Sequence, residues 1–156
     1  MINQNIIGIL QARMGSSRLP GKVLMEIEKT PLLQIMMTRI KKSKLLNKVI
    51  IATSTSHLDN EIEDFCNNNG YDCFRGSEND VLTRYHECAI EYKGDVIIRL
   101  TADCPLVDPL MIDDIINLYF TNNVDYAAVT IPQGSNMFPD GSDVEIFSTN
   151  ALGRAF

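Results

Sequence analysis

Short apolar runs alternate along this chain with stretches in which apolar residues return at helical spacing. The runs at 6–11, 48–53, 72–75, 95–100, 126–130 and 143–147 read as strands. Leu32, Leu33, Ile35, Met36 and Ile40 form one helical stripe over 31–42, opened by Pro31. A second helix covers 58–68 and stops at Asn69-Gly70. A third covers 80–92, capped by Asn79 or Asp80 and closed by Gly94. Asp108-Pro109 opens a fourth, with a carboxylate at the cap and proline at the first helical position. Strands and helices in alternation predict a three-layer α/β/α domain, Rossmann-like, with a mainly parallel sheet.

The pattern thins out at the end. Ser148-Thr149-Asn150 reads as a helix cap, but hardly more than one turn follows, and a lone turn has little stability of its own. The expectation is a single domain over 1–156 that is cut short at its C-terminal end. Met25, Met36 and Met37 read as core filling, and the basic run 39–48 as the wet face of a helix.

Composition narrows the function classes. The chain has 156 residues, enough for one domain with a real core. With 14 Lys and Arg against 20 Asp and Glu, the net charge is -6, which excludes a general nucleic-acid binder. No apolar stretch approaches the roughly 20 residues that span a bilayer. The first five residues show no basic region ahead of an apolar core, so the expected compartment is the cytoplasm, with no membrane partner. Cys66, Cys73, Cys88 and Cys104 show no CxxC spacing and have only His57 and His86 to help them, so free thiols are expected over zinc or disulfides.

Candidate chemistry concentrates in segment 11–22, Gln-Ala-Arg-Met-Gly-Ser-Ser-Arg-Leu-Pro-Gly-Lys, which follows the first strand directly. Backbone N–H groups near Gly15, Ser16 and Ser17 can face one concavity, and Arg13, Arg18 and Lys22 add positive charge, a combination that suits a nucleoside triphosphate. It is not a Walker loop: five residues separate Gly15 from Gly21, and Val23 follows Lys22. It is not a dinucleotide fingerprint either, since no GxGxxG follows the strand.

A second segment, 99–109, follows the fourth strand. In an open parallel sheet, ligands gather at the carboxyl ends of the strands, so Asp103 falls on the same edge as the basic loop. A carboxylate there can hold Mg²⁺ beside a triphosphate. Asp108 is explained by capping alone. Segment 138–145 contains Pro-Asp-Gly, a turn signal. Its carboxylates Asp140, Asp143 and Glu145 equally suit sugar hydroxyls or a second metal ion. In segment 76–85, a helix start can meet a nucleoside through Ser77, with Arg84 turned to the pocket; capping with an exposed Arg84 is an equal reading.

Taken in order, segments 11–22, 76–85, 101–109 and 139–147 resemble the CTP-using sugar nucleotidyltransferases. These are the 3-deoxy-manno-octulosonate and acylneuraminate cytidylyltransferases and, most of all, the family of spore coat polysaccharide biosynthesis protein F. The resemblance implies a nucleotidyltransferase fold and transfer of CMP from CTP to an acidic sugar for surface polysaccharide, with pyrophosphate released. It implies that Arg13 and Lys22 contact the triphosphate and that Gly15, Ser16 and Ser17 cradle it. Gln11, Ala12, Arg18, Ser77, Arg84 and Thr101 complete the nucleotide side, and Asp103 is the magnesium ligand. Asp140, Asp143 and Glu145 fall on the acceptor side. Related enzymes carry a second metal-binding aspartate on a later strand, beyond the acceptor region, so that half of the site is not assigned to a residue here, and they are often homodimers. A metal-dependent glycosyltransferase of the same fold is the main rival, although Asp103 lacks an Asp-x-Asp partner. A nucleotide-binding module without catalysis is the other.

Overall fold

The computed structural model describes residues 3–129 and 141–155. Strand β1 (Ile6–Gln11) leads through the basic loop to a small hairpin, β2 (Glu26–Ile27) and β3 (Thr30–Pro31), and then to helix α1 (Leu32–Ile40). Next come β4 (Lys48–Ser54), α2 (Asn60–Asn69), β5 (Asp72–Gly76), α3 (Val81–Glu91) and β6 (Val96–Thr101). The remaining elements are α4 (Pro109–Asn122), β7 (Tyr126–Val129), β8 (Val144–Ser148) and α5 (Thr149–Ala155). No helix among the described residues is long and apolar enough to cross a membrane.

The six-stranded sheet has the order β5-β4-β1-β6-β8-β7. The four strands on the β5 side run parallel, while β8 is antiparallel to β6 and β7 antiparallel to β8. β1 is buried almost throughout, without period-two alternation, because helices cover both faces of the sheet. On one face Ile6, Leu10, Ile51 and Ile98 pack with α1, α2 and α4. On the other, Ile7, Ile9, Ile50 and Ile97 pack with α3 and with Leu152 of α5. The expected three layers are present.

The chain steps from β1 to β4 to β5 in one direction, then returns through α3 to lay β6 on the other side of β1. That reversal opens a crevice between β1 and β6 at their carboxyl ends. Both candidate loops leave the sheet there.

Several local expectations change. The hairpin turn Glu28-Lys29 places two non-glycine residues at φ 49° and 67°, so the Gly and Asn signals that mark such turns are missing. Pro31 consequently ends β3 and sits before α1 rather than inside it. Met25 is exposed, whereas Met36 and Met37 are fully buried. The left-handed residue after α3 is Lys93, and Gly94 matters for closeness instead: a Cβ there would come within 2.5 Å of Ile7 Cδ1. Helix α5 is more than a loose turn. The Ser148 hydroxyl accepts the Ala151 N–H at 3.0 Å, the Thr149 N–H donates to Asp95 O at 2.9 Å, and Leu152 docks into the core. Tertiary packing stabilises what the local sequence cannot. The caps at Asp80 and Asp108 are as expected, accepting from Thr83 N and Leu110 N. All four cysteines are free thiols.

Candidate functional site

β1 and β6 stay in register as far as Gln11 and Thr101, and the Ala102 N–H still donates to Gln11 O at 2.9 Å. Beyond that link the two chains part. The loop after β1 closes on Met14, whose carbonyl accepts from Ser16 N at 2.8 Å and Gly21 N at 2.9 Å. The Ser16 N–H is thus engaged inside the loop rather than offered to the concavity. Gly21 stands at φ +71°, a left-handed conformation that any side chain would strain. The 3-10 turn Lys22–Leu24 follows, and Lys22 Nζ reaches Asp103 Oδ2 at 3.0 Å.

Asp103 lies in the loop after β6, which α1 braces from below. Arg39 donates from Nε to Val107 O at 3.1 Å and from Nη2 to Leu106 O at 3.2 Å. The basic run is therefore not simply a wet face. Partial burial would raise the Asp103 pKa, but the Lys22 ammonium and the Thr101 hydroxyl outweigh it and hold the carboxyl below the usual range. The group is a carboxylate at neutral pH.

Between the loops lies a cavity of about 230 Å³. Gln11, Ala12, Arg13, Ser16, Ser17 and Arg18 line it from the β1 side, with Lys22. Thr101 and Asp103 line it from the β6 side. Arg13, Arg18, Lys22 and Arg99 bring four cations against the one carboxylate of Asp103. A polyanion fits that balance.

Sequence reasoning assigns Arg99 no role of its own, although it opens segment 99–109 and lies within the strand run 95–100. The available signal was a charge inside the apolar run Val96-Ile97-Ile98-Arg99-Leu100. Arg99 is ion-paired with Glu145, its register partner on β8. It also lines a second, largely apolar groove of about 500 Å³ with Tyr85, Tyr126, Phe147 and Glu145. Asp143 lies elsewhere: it shares a cavity of about 480 Å³ with Asp103, Lys22 and Gly141. Asp140 lies outside the described residues.

Three predicted nucleotide residues are not in the main cavity. Gly15 lines a small adjoining one, with Arg13, Asp59 and Glu78. The Ser77 hydroxyl accepts the Asp80 N–H at 3.0 Å and shapes the turn before α3. Arg84 is neither exposed nor on the cavity wall: it is 1% exposed, with Nη1 donating to Ser77 O at 3.1 Å. Its Nε has no partner among the described residues, and burial lowers its pKa.

Asp59 was also missed. It is fully enclosed, and its oxygens accept from the Met14 N–H at 2.7 Å, the Ser54 N–H at 3.0 Å and the Ser54 hydroxyl at 2.5 Å. Burial works to raise its pKa, but the Ser54 hydroxyl and the Met14 amide prevail and hold it below the ordinary 3.8. A depressed carboxyl stabilises the fold above its unfolded-state value and loses that contribution as pH falls through the folded value. Stability should therefore decline below about pH 4. An Asp59→Asn chain should lack that part of the slope in acid unfolding curves; equal slopes would refute the coupling.

A basic loop facing a single carboxylate across the β1–β6 crevice defines a nucleotidyltransferase-like α/β domain. The chain matches the model of the cytidylyltransferase family over residues 7–155, and it belongs to that family. It is 42% identical over 151 residues to an uncharacterised protein of Methanocaldococcus jannaschii, covering 97% of this chain and 60% of that protein. It is also 42% identical over 129 residues to the spore coat polysaccharide biosynthesis protein SpsF of Bacillus subtilis, covering 80% and 54%. The chain thus spans less than two thirds of the length of these relatives. Among solved structures it resembles a cytidylyltransferase from Leptospira borgpetersenii, with TM-score 0.89 and 35% identity over 97% of this chain and 63% of that one. The fold is shared with a CMP:2-keto-3-deoxy-manno-octonic acid synthetase solved with CTP, at TM-score 0.75 and 17% identity, covering 97% and 77%.

Proposed function

We propose that this chain transfers CMP from CTP to a hydroxyl of an acidic sugar, releasing pyrophosphate, as a step in making a surface polysaccharide. The observation that carries this reading is the Lys22–Asp103 pair, which lines a cavity whose other charged residues are cations, on the β1–β6 crevice. The acceptor oxygen forms a bond to the α-phosphorus while the bond from that phosphorus to the pyrophosphate oxygen breaks. The leaving pyrophosphate keeps the electron pair, and the hydroxyl proton passes to solvent. Arg13 and Lys22 neutralise charge on the departing group, and Ser16, Ser17 and Arg18 hold the triphosphate in place. Catalysis of this kind rests on positioning and on charges already oriented toward the phosphates.

Asp103 suits Mg²⁺. Its carboxylate is ionised and about half exposed, and Mg²⁺ is usually held by one or two carboxylates together with phosphate oxygens. A single carboxylate beside a cationic cavity fits an ion that takes its remaining ligands from phosphate oxygens and water. When bound, the ion supplies positive charge to the phosphate oxygens. Asp143, on the cavity it shares with Asp103, lies on the acceptor side of this reading.

The test is incubation with CTP, Mg²⁺ and a panel of acidic sugars, with pyrophosphate as readout. Sugar-dependent pyrophosphate release is expected. Release of a nucleoside diphosphate from a nucleotide sugar would favour a glycosyltransferase, and CTP binding without release a nucleotide-binding module.

A further inference from the structure

We propose that Asp59 is a positioning residue for the loop that meets the triphosphate: its buried carboxylate fixes Met14, and Met14 fixes the arc from Arg13 to Lys22. Asp59 touches no part of the cavity of about 230 Å³ itself. It closes the 3-10 turn His57–Asp59 and is 2% exposed. The inference rests on the reading of that loop as the triphosphate site.

Two sets of bonds meet at Met14. Beyond Gln11 the loop keeps one ladder-like link to β4, from Ala12 N to Ala52 O at 3.1 Å. Two residues later the Met14 N–H donates to Asp59 Oδ1 at 2.7 Å, while the Met14 carbonyl accepts from both Ser16 and Gly21. The bonds that close the arc therefore start from the residue that Asp59 holds. The other oxygen of Asp59 is tied to the end of β4 by the Ser54 N–H and hydroxyl. One carboxylate thus references the arc to the rigid sheet.

The chemistry requires a carboxylate. Two backbone donors, from different segments, converge on its two oxygens, and an amide offers only one oxygen. In an Asp59→Asn chain the NH₂ group must face either the Met14 or the Ser54 N–H, and the arc loses its reference or the β4 end does. Ser54→Ala removes the hydroxyl bond to Asp59, and with it the acceptor of the Ser56 N–H at 3.2 Å, but leaves the Met14 bond in place.

The test measures amide hydrogen exchange and CTP kinetics on Asp59→Asn, Ser54→Ala and the unchanged chain. In Asp59→Asn, exchange at Met14 should rise about tenfold while residues 7–10 of β1 keep their protection. KM for CTP should rise about tenfold with kcat within roughly threefold, because the loop is mis-set before binding rather than missing. Ser54→Ala should lower Tm yet leave Met14 exchange and KM within about twofold. Unchanged Met14 exchange in Asp59→Asn would overturn the proposal. So would a parallel loss of protection at Met14 and in β1, which marks general destabilisation. Should the unchanged chain neither bind nor turn over CTP, the functional reading falls, and the exchange data still decide whether Asp59 sets the arc.

Discussion

Asp103→Ala and Lys22→Ala chains are each expected to fold and to release pyrophosphate at least about 100-fold more slowly than the unchanged chain. The two side chains form an ion pair at 3.0 Å and are 49% and 25% exposed, so neither is part of the core. A surface pair of this kind contributes at most about 1 kcal/mol to stability. Removing a preorganised charge from a phosphoryl-transfer site raises the barrier by about 3 kcal/mol or more. Activity and stability should therefore separate. Thermal unfolding run beside the pyrophosphate assay checks this, and near-normal turnover in either variant would show that the assignment is wrong. The variants should also differ from one another. Losing Lys22 removes the main partner that holds the Asp103 pKa down, whereas losing Asp103 leaves a cavity whose charged lining residues are all cations.

The opposite separation is expected at Ile9. This side chain is fully buried in β1, between β4 and β6, and packs with Ile7, Ile50, Ile97 and Tyr85 on the α3 face. Ile9→Ala leaves a cavity in the most constrained part of the sheet, where neighbours cannot collapse into it. The expected loss is about 3 kcal/mol, or roughly 10 °C in Tm for a chain of this size. At temperatures where the variant is still folded, KM for CTP should change little, since Ile9 lines none of the site's cavities. Ile27→Ala, at a position 56% exposed, is the control and should shift stability by no more than about 0.5 kcal/mol. Similar losses at Ile9 and Ile27 would contradict the burial argument.

Much of the architecture was legible in local pattern. Strand centres at 6–11, 48–53 and 95–100 match β1, β4 and β6, because strands buried on both faces appear as nearly continuous apolar runs, and 72–75 matches the partly buried edge strand β5. The hairpin at Glu26 to Pro31 was not legible, since its turn uses Glu28 and Lys29 at positive φ in place of Gly or Asn. The antiparallel direction of β8 and its insertion between β6 and β7 were also hidden, because strand order is a property of pairing between distant segments. Helix α5 depends on Leu152 reaching a core built by residues 55 or more positions earlier, such as Ile97.

The candidate site divides in the same way. Segment 11–22 and Asp103 could be singled out from residue types, from spacing that excludes other phosphate loops, and from the rule that ligands meet the carboxyl ends of parallel strands. Those are local or general facts, and they put both segments on one edge. Which side chains meet there depended on packing. The 81-residue separation between Lys22 and Asp103 closes to 3.0 Å because β1 and β6 are neighbours in the sheet. Arg84 turns inward where Gly76, the last residue of β5, leaves space for its stem: a Cβ at Gly76 would come within 3.0 Å of Arg84 Cγ. Arg39, Arg99 and Asp59 gained their places from partners 68, 46 and 45 residues away. A sequence records which residues can hold charge or phosphate; the distances between them come from long-range strand pairing and core packing, which no local pattern encodes.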